Sequence, residues 1–213
     1  LWQKEKWYWL AAVVLGVLLS LLFAAHWTEG YADMIQKGIG GKVVRFHVLA
    51  NSDSEADQTL KLAVRDRVLQ EYGDLLETCT SKEETLAALK NAQQEISETA
   101  EAEVLAQGYT YPVRVSLVRE EFPFKKYGDL IFPAGVYDAL RIEIGEAKGK
   151  NWWCVLYPQM CYVDAAWGYS TEESHVRLQN TLTKEEFLVV SAMEQKKVTP
   201  KIKCRLVELW SER

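Results

Sequence analysis

The chain has 213 residues, of which 48% are hydrophobic and 26% are charged, and this balance excludes an intrinsically disordered protein. Its length accommodates one ordinary globular domain with an additional segment. The formal net charge is -5 and the acidic and basic residues are interspersed, which argues against nucleic acid as a partner because phosphate binding needs a clustered basic surface.

Residues 1–32 differ in composition from the rest of the chain. Two lysines, Lys4 and Lys6, precede an apolar run from Leu10 to Ala25 that carries no charge. As a helix this run spans about 24 Å, and counting out to the flanking tryptophans brings it to the roughly 30 Å of a bilayer core. The segment is therefore predicted to be a membrane-directed helix, the alternative being the buried core helix of a globular protein.

Two fates of this segment fit the sequence. Gly30-Tyr31-Ala32 offers small residues at the -3 and -1 positions of a signal peptidase site, which predicts cleavage after Ala32. Trp7 and Trp27, at the two ends of the apolar run, instead favour a membrane anchor held at both interfaces. In either case residues 33–213 are expected to lie outside the cytoplasm, because the lysines stay inside.

Residues 33–213 are expected to form a single domain, since no repeat, low-complexity tract or linker interrupts them. A short flexible lead is expected at the glycine-rich segment 37–41. The next segment, 43–49, is rich in β-branched and aromatic residues and alternates polar with apolar positions, which predicts a strand.

Two overlapping helix starts follow this strand. Ser52 with Glu55 forms a capping box, and Ser54 with Asp57 offers a second start. The helix predicted here has an apolar row at four-residue spacing beside a charged row. The apolar row consists of Leu60, Val64, Val68 and Tyr72, and the charged row of Asp57, Lys61 and Arg65.

Two further helices are predicted from the same kind of signal. Ser81 with Glu84 begins a helix that continues toward Gly108. Thr183 with Glu186 begins another that continues through Met193. Three helices are therefore expected in the domain.

Alternating apolar positions predict strands in the second half of the chain. They cover 111–117, 136–144, 151–157 and 201–206, with a hairpin turn at 145–150. The connection 121–135 is long and rich in aromatic residues, so it is expected to be packed. The resulting order β-α-α-β-β-β-α-β predicts an α+β fold, in which three helices cover a mixed or mostly antiparallel sheet.

Four cysteines in an exported chain allow three different two-bridge connectivities. They are Cys79, Cys154, Cys161 and Cys204. Cys154 and Cys161 lie seven positions apart across Pro158, where a local bridge across a turn is possible. Buried free thiols are the alternative. No pair has the spacing of zinc ligands, so no metal site is predicted.

The sequence contains none of the motifs GxSxG, HExxH, P-loop, GxGxxG and CxxC, so neither a catalytic site nor a cofactor is predicted. A hydrolase would use His47 as its general base with Ser52 or Asp53 as the partner. In the competing interpretation Ser52 caps the helix and Asp53 is a first-turn carboxylate favoured by the helix dipole.

Two ungapped segments resemble the stage II sporulation protein R family. The first is Arg45-Phe46-His47-Val48-Leu49-Ala50-Asn51-Ser52-Asp53-Ser54, followed by Asp57-Gln58, Leu60-Lys61-Leu62 and Val64-Arg65-Asp66. The second is Asn151-Trp152-Trp153-Cys154-Val155-Leu156-Tyr157-Pro158, with Cys161 and Asp164 beyond it. Gln159 departs from the apolar residue or proline expected there. Together with the membrane-directed segment, the resemblance covers most of the chain.

The resemblance implies a signalling protein that is not itself an enzyme. Such a protein is made in the forespore and exported into the space between forespore and mother cell. There it activates a membrane-embedded aspartic protease of the mother cell, which cleaves the pro-form of sigma factor E. The alternatives are an exported hydrolase and a membrane-anchored structural factor of the sporulation septum.

The recognition surface is expected at the strand-to-helix junction, because its polar groups outnumber what one helix cap needs. Trp152 and Trp153 are adjacent on a strand and must point to opposite faces, so one of them can serve as an aromatic anchor. Packing beneath a helix is the alternative role. The residues predicted to bind the partner are Arg45, His47, Asn51, Ser52, Asp53, Asp57, Lys61, Arg65, Trp152 and Trp153.

Overall fold

The computed structural model describes residues 2–161 and 172–191 of the chain. Within these ranges the chain forms six helices and six strands. In chain order they are α1 (Trp2–Lys42), β1 (Val44–Leu49), α2 (Glu55–Glu77), α3 (Lys82–Asn91), α4 (Gln93–Ala106), β2 (Val113–Phe122), β3 (Lys125–Tyr127), β4 (Leu130–Phe132), β5 (Gly135–Ile144), β6 (Asn151–Tyr157), α5 (Glu172–Thr181) and α6 (Lys184–Ser191).

Four of the strands form one mixed sheet in the order β2-β5-β1-β6. Strand β1 is parallel to β5 and antiparallel to β6, and β2 is antiparallel to β5. Strands β3 and β4 pair separately as a short antiparallel hairpin within the aromatic connection that was expected to be packed. The predicted α+β class with a mixed sheet is therefore confirmed.

The order of the strands corrects the predicted hairpin turn at 145–150. Since β1 lies between β5 and β6, this segment joins two strands that do not pair with each other. It crosses the end of β1 instead, where Lys148 and Gly149 donate backbone hydrogen bonds to the carbonyls of Asn51 and Ala50. Periodicity along one segment could not reveal that a distant strand fills the gap.

One face of the sheet is covered by α2, α3 and α4. Alternate side chains of β1, β2 and β5 point to these helices, as the period of two requires. The apolar row predicted on α2 is buried against this face. Its members are Leu60, Val64, Val68 and Tyr72.

The helices on this face differ from the prediction in their boundaries. Of the two starts proposed for α2, the chain uses Ser54, whose side chain accepts a hydrogen bond from the backbone N–H of Asp57. The helix predicted to run from Ser81 toward Gly108 is interrupted at Ala92. This break lets α3 pack against β1 while α4 follows β2. With α5 added, five described helices follow the expected N-terminal helix α1, where three were expected in the domain.

The opposite face packs against the end of α1, the β3–β4 hairpin and the helices α5 and α6. Ile35 and Ile39 of α1 are buried there. Residues 37–41 are therefore helical and docked, which corrects the predicted flexible lead. A side chain at Gly38 would collide with Glu186, so this glycine permits close packing rather than flexibility.

The C-terminal part of the prediction is tested only in its first half. Helix α6 is present where the Thr183 signal placed it, and the backbone N–H of Glu186 donates to the Thr183 hydroxyl. The helix end predicted at Met193, the strand predicted at 201–206 and Cys204 lie outside the described residues.

A disulfide bond joins Cys154, on β6, to Cys161, in the turn that follows the strand. Cys79 is a free thiol of intermediate exposure. Closing so short a loop stabilises the folded chain by roughly 2 to 3 kcal/mol in the chain-entropy model.

We predict that a non-reduced tryptic digest of the protein contains Cys154 and Cys161 in one peptide with an internal bridge, because no Lys or Arg lies between them. Alkylation before reduction should label Cys79 but neither bridged residue, because only a free thiol reacts. Mass spectrometry of the alkylated digest measures both outcomes. Recovery of alkylated Cys154 in the non-reduced sample would contradict the bridge.

Candidate functional site

The strand-to-helix junction lies at the end of the sheet opposite to α1. Helix α1 ends just before β1 begins, and β1 then runs about 20 Å to its far end. The pairs Leu49 with Asn151 and Val113 with Ile144 bring three connections together there. These connections, 50–54, 109–112 and 145–150, are called the distal end below.

Three of the predicted recognition residues hold the 145–150 connection in place. The Asn51 side-chain oxygen accepts a hydrogen bond of 2.9 Å from the backbone N–H of Glu146. Asp53 accepts one of 2.6 Å from the backbone N–H of Lys150. The Lys61 ammonium is buried and donates to the backbone carbonyl of Lys150 at 3.0 Å. The polar groups that exceed the needs of one helix cap therefore hold the connections 50–54 and 145–150 together.

Asp57 is the centre of this network. Its side chain is buried, and one carboxylate oxygen accepts hydrogen bonds from the Ser52 hydroxyl and the Asn51 amide. These bonds, the one from Ser52 first, hold the pKa of Asp57 below its ordinary value. The predicted charged row on α2 is thus turned inward at Asp57 and Lys61, because a neighbouring connection covers it.

Arg65 and Trp152 form the outer part of the same region. The Arg65 guanidinium lies 4.7 Å from the centre of the Trp152 ring, a cation–π contact. Trp152 in turn meets the edge of Phe46 at 5.7 Å. Trp152 and Trp153 point to opposite faces of β6 and each is half-buried, so neither projects freely into solvent.

Arg45, on the other face of β1, is fully buried among aromatic rings. Its guanidinium carbon lies 4.8 to 5.7 Å from four ring centres, those of Phe122, Tyr127, Phe132 and Tyr137. Its Nε donates to the Cys154 carbonyl at 3.0 Å, and Nη2 donates to the Tyr127 hydroxyl at 2.8 Å. No carboxylate of the described residues pairs with it.

Burial lowers the pKa of Arg45 from its usual value, and the nearby tyrosine side chains oppose this effect. The cost of removing the charge from water is several kcal/mol. Ring faces offset part of this cost, since a desolvated cation–π contact contributes about 2 kcal/mol. Arg45 is therefore a packing residue of the core between the sheet and the face formed by α1, the β3–β4 hairpin, α5 and α6, which is called the second core below. A partner cannot reach it in this conformation.

His47 is also buried. Its ring stacks on Trp153 with the centres 4.9 Å apart and meets the edge of Phe122 at 5.2 Å. Its Nε2 approaches a Glu120 oxygen to ion-pair distance, without the angles of a hydrogen bond. Burial, followed by the charge of Arg141, lowers the pKa of His47 to about 4, so the ring is neutral at physiological pH.

This geometry gives no support to the proposed hydrolase. The Ser52 hydroxyl donates to Asp57, and Asp53 accepts from Lys150, so neither contacts His47. A general base must lie within hydrogen-bond reach of the group it activates. In the ranges 2–161 and 172–191, no cluster of three His, Cys, Asp or Glu side chains could hold a metal ion.

The exposed groups of the distal end include residues that the sequence did not single out. Of the ten predicted recognition residues, only Asp53 is exposed; the others are buried or half-buried. Beside it the structure places the side chains of Glu146, Lys148 and Lys150, which project from the connection that Asn51 and Asp53 hold. The sequence offered one signal for these residues, the charge-rich segment 145–150 between two strands. We interpreted it only as a hairpin turn and not as part of a recognition surface.

Comparison with known proteins gives two matches. A family described as Stage II sporulation protein R matches residues 40–167, which include the junction and the Trp-Trp segment. Stage II sporulation protein R of Bacillus subtilis (strain 168) is 32% identical to the chain over 184 residues, with 82% of each chain covered. No solved structure matches the chain.

We predict that Arg45→Ala lowers the free energy of unfolding by about 3 to 5 kcal/mol, because it empties the space between the rings and leaves two acceptors unpaired. Arg45→Met keeps most of the packing without a buried charge and should cost about 1 to 2 kcal/mol. Urea unfolding of the detergent-solubilised chain, followed by tryptophan fluorescence, measures both. Equal losses for the two variants would show that the charge itself is required.

We predict that the chain loses stability as the pH falls from 6.5 toward 4. The folded-state pKa of His47 is about 4 against an ordinary 6.5, so the unfolded chain binds the proton first within this window. Between pH 7.5 and pH 5 the expected loss is up to about 2 kcal/mol. His47→Gln should remove this increment in the same urea assay, and an unchanged pH dependence would contradict the assignment.

Proposed function

Because the chain belongs to the stage II sporulation protein R family, we propose that it is an exported signalling protein that activates a membrane-embedded aspartic protease of the mother cell. The activated protease then processes pro-sigma factor E. In this proposal the chain acts in the space between forespore and mother cell. The family itself gives the coarser conclusion, a role in sporulation.

The position of the junction is the observation that carries this proposal. The apolar helix and the junction lie at opposite ends of the sheet. If α1 directs the chain to the forespore membrane, the distal end points across the gap toward the opposite membrane. A ligand for a receptor in that membrane needs its recognition surface at this end.

The internal hydrogen bonds of the distal end also favour a recognition role. Asn51, Asp53 and Lys61 fix the backbone of the 145–150 connection, so its charged side chains are presented on a rigid support. Preorganised surfaces lose less conformational entropy on binding. We therefore assign receptor contact to Asp53, Glu146, Lys148 and Lys150, supported from below by the buried members of the junction.

The proposal is tested by supplying the full chain, the membrane aspartic protease and pro-sigma factor E of the same organism to a bacterial host that does not sporulate. Pro-sigma factor E should be processed only when all three are present. Immunoblotting measures the processed fraction. If all three proteins are expressed and pro-sigma factor E is still not processed, the proposed activation is contradicted. An exported hydrolase or a structural factor of the septum would give this result.

Within this assay we predict that Lys150→Glu lowers the processed fraction at least about tenfold, equivalent to a loss of about 1.4 kcal/mol in binding. The side chain is exposed, and its reversal brings a negative charge toward the buried Lys61 ammonium, so the fold should tolerate it. The matched control is Lys126→Glu, the same charge reversal at another exposed lysine, on β3.

The control should process normally, since β3 belongs to the aromatic connection on the second core rather than to the distal end. The reverse result, a defect in Lys126→Glu and none in Lys150→Glu, would place receptor contact in the connection 121–135. The variant His47→Gln tests the hydrolase alternative. A hydrolase would lose its hydrolytic activity in this variant and would still bind its partner.

A further inference from the structure

Helix α1 joins an apolar span to the folded domain without a break. It runs from Trp2 to Lys42 as one helix. Its large apolar side chains from Trp7 to Met34 are exposed, whereas Ile35 and Ile39 are buried in the domain. The exposed stretch therefore has no partner within the described part of the protein.

The exposed stretch matches a lipid bilayer in length and in the placement of its aromatic residues. From Trp7 to Trp27 the helix rises about 30 Å, the thickness of a hydrocarbon core. Aromatic side chains cluster at both ends of this interval, as they do at membrane interfaces. They are Trp7, Tyr8 and Trp9 at one end and Trp27 and Tyr31 at the other. The occupant that fits this surface is the bilayer.

The final turns of α1 are built into the domain at several points. The Lys42 ammonium pairs with Glu186 of α6 at 2.6 Å. The buried Lys82 ammonium donates to the Gly40 carbonyl at 2.8 Å. The Gln36 side chain lies against the backbone of Gly135, so close that a Cβ at this position would displace it. The helix is thus fixed to the domain from Ile35 onward.

These contacts bear directly on the signal peptidase site at Ala32. Peptide recognition by strand addition requires an extended segment, whereas the residues around Ala32 are helical. Extending residues 28–34 means unwinding the helix up to Ile35, and further unwinding withdraws Ile35 from the core. The site is also helical and only three residues from a folded domain, which leaves no free chain for an enzyme at the membrane surface.

We propose that α1 is an uncleaved membrane anchor and that its docked end prevents cleavage after Ala32. The domain is then held against the membrane in one orientation, with the distal end about the length of the sheet away from the lipid. This inference rests only on the export step of the proposed function and is independent of protease activation.

The test uses the full chain with an epitope tag after Arg213, expressed in a bacterial host with an active signal peptidase. A second form carries a flexible insertion of about eight glycines and serines between Ala32 and Asp33, which frees the chain around the site. The control carries the same insertion between Gly108 and Tyr109, in an exposed connection. Mass spectrometry of the tagged product identifies its first residue, and alkaline extraction separates anchored from released protein.

The proposal predicts that the native chain and the control stay uncut in the membrane pellet. The form with the insertion at Ala32 should be cut there and released. A tagged native product that begins at Asp33 would overturn the proposal. An uncut Ala32 insertion would overturn the claim that the docked turns prevent cleavage. Neither outcome depends on pro-sigma factor processing, so failure of this inference and failure of the proposed function are distinguishable.

Discussion

The burial of one guanidinium group connects all six strands of the described residues. Arg45 extends from β1 and contacts Phe122 of β2, Tyr127 of β3, Phe132 of β4 and Tyr137 of β5, while its Nε donates to a carbonyl of β6. A planar cation can meet several ring faces and still donate hydrogen bonds at its edge, which a lysine ammonium cannot do. The hairpin β3–β4 is thereby held over the sheet, and the second core closes around it.

This second core is also where α1 enters the domain. Ile35 and Ile39 pack into the same cluster as Phe122 and Tyr137, so the membrane-directed helix and the aromatic connection stabilise each other. The opposite end of the sheet uses a different kind of contact. There a buried carboxylate, Asp57, and its donors fix two connections through hydrogen bonds. Apolar packing, together with the Lys42–Glu186 ion pair, thus holds α1 to the domain, whereas hydrogen bonds around a buried carboxylate fix the distal end.

Local signals in the sequence gave accurate results wherever neighbouring residues decide the structure. The Ser81 and Thr183 caps begin helices, and the alternation from Val113 onward forms a strand. All residues quoted for the family resemblance, from Arg45 to Asp164, lie within the matched segment 40–167. Membership of the family was therefore accessible from two short segments, because they combine uncommon residues in a fixed order.

By itself the sequence determined the α+β class, the apolar helix, the main helix starts and the family. It did not determine that β1 lies between β5 and β6, since strand order depends on contacts between residues 90 or more positions apart. It also could not show that Arg45, His47, Asp57 and Lys61 point inward. A charged residue is expected at the surface because burial is costly, and only the tertiary structure supplies the rings, carbonyls and amides that offset this cost.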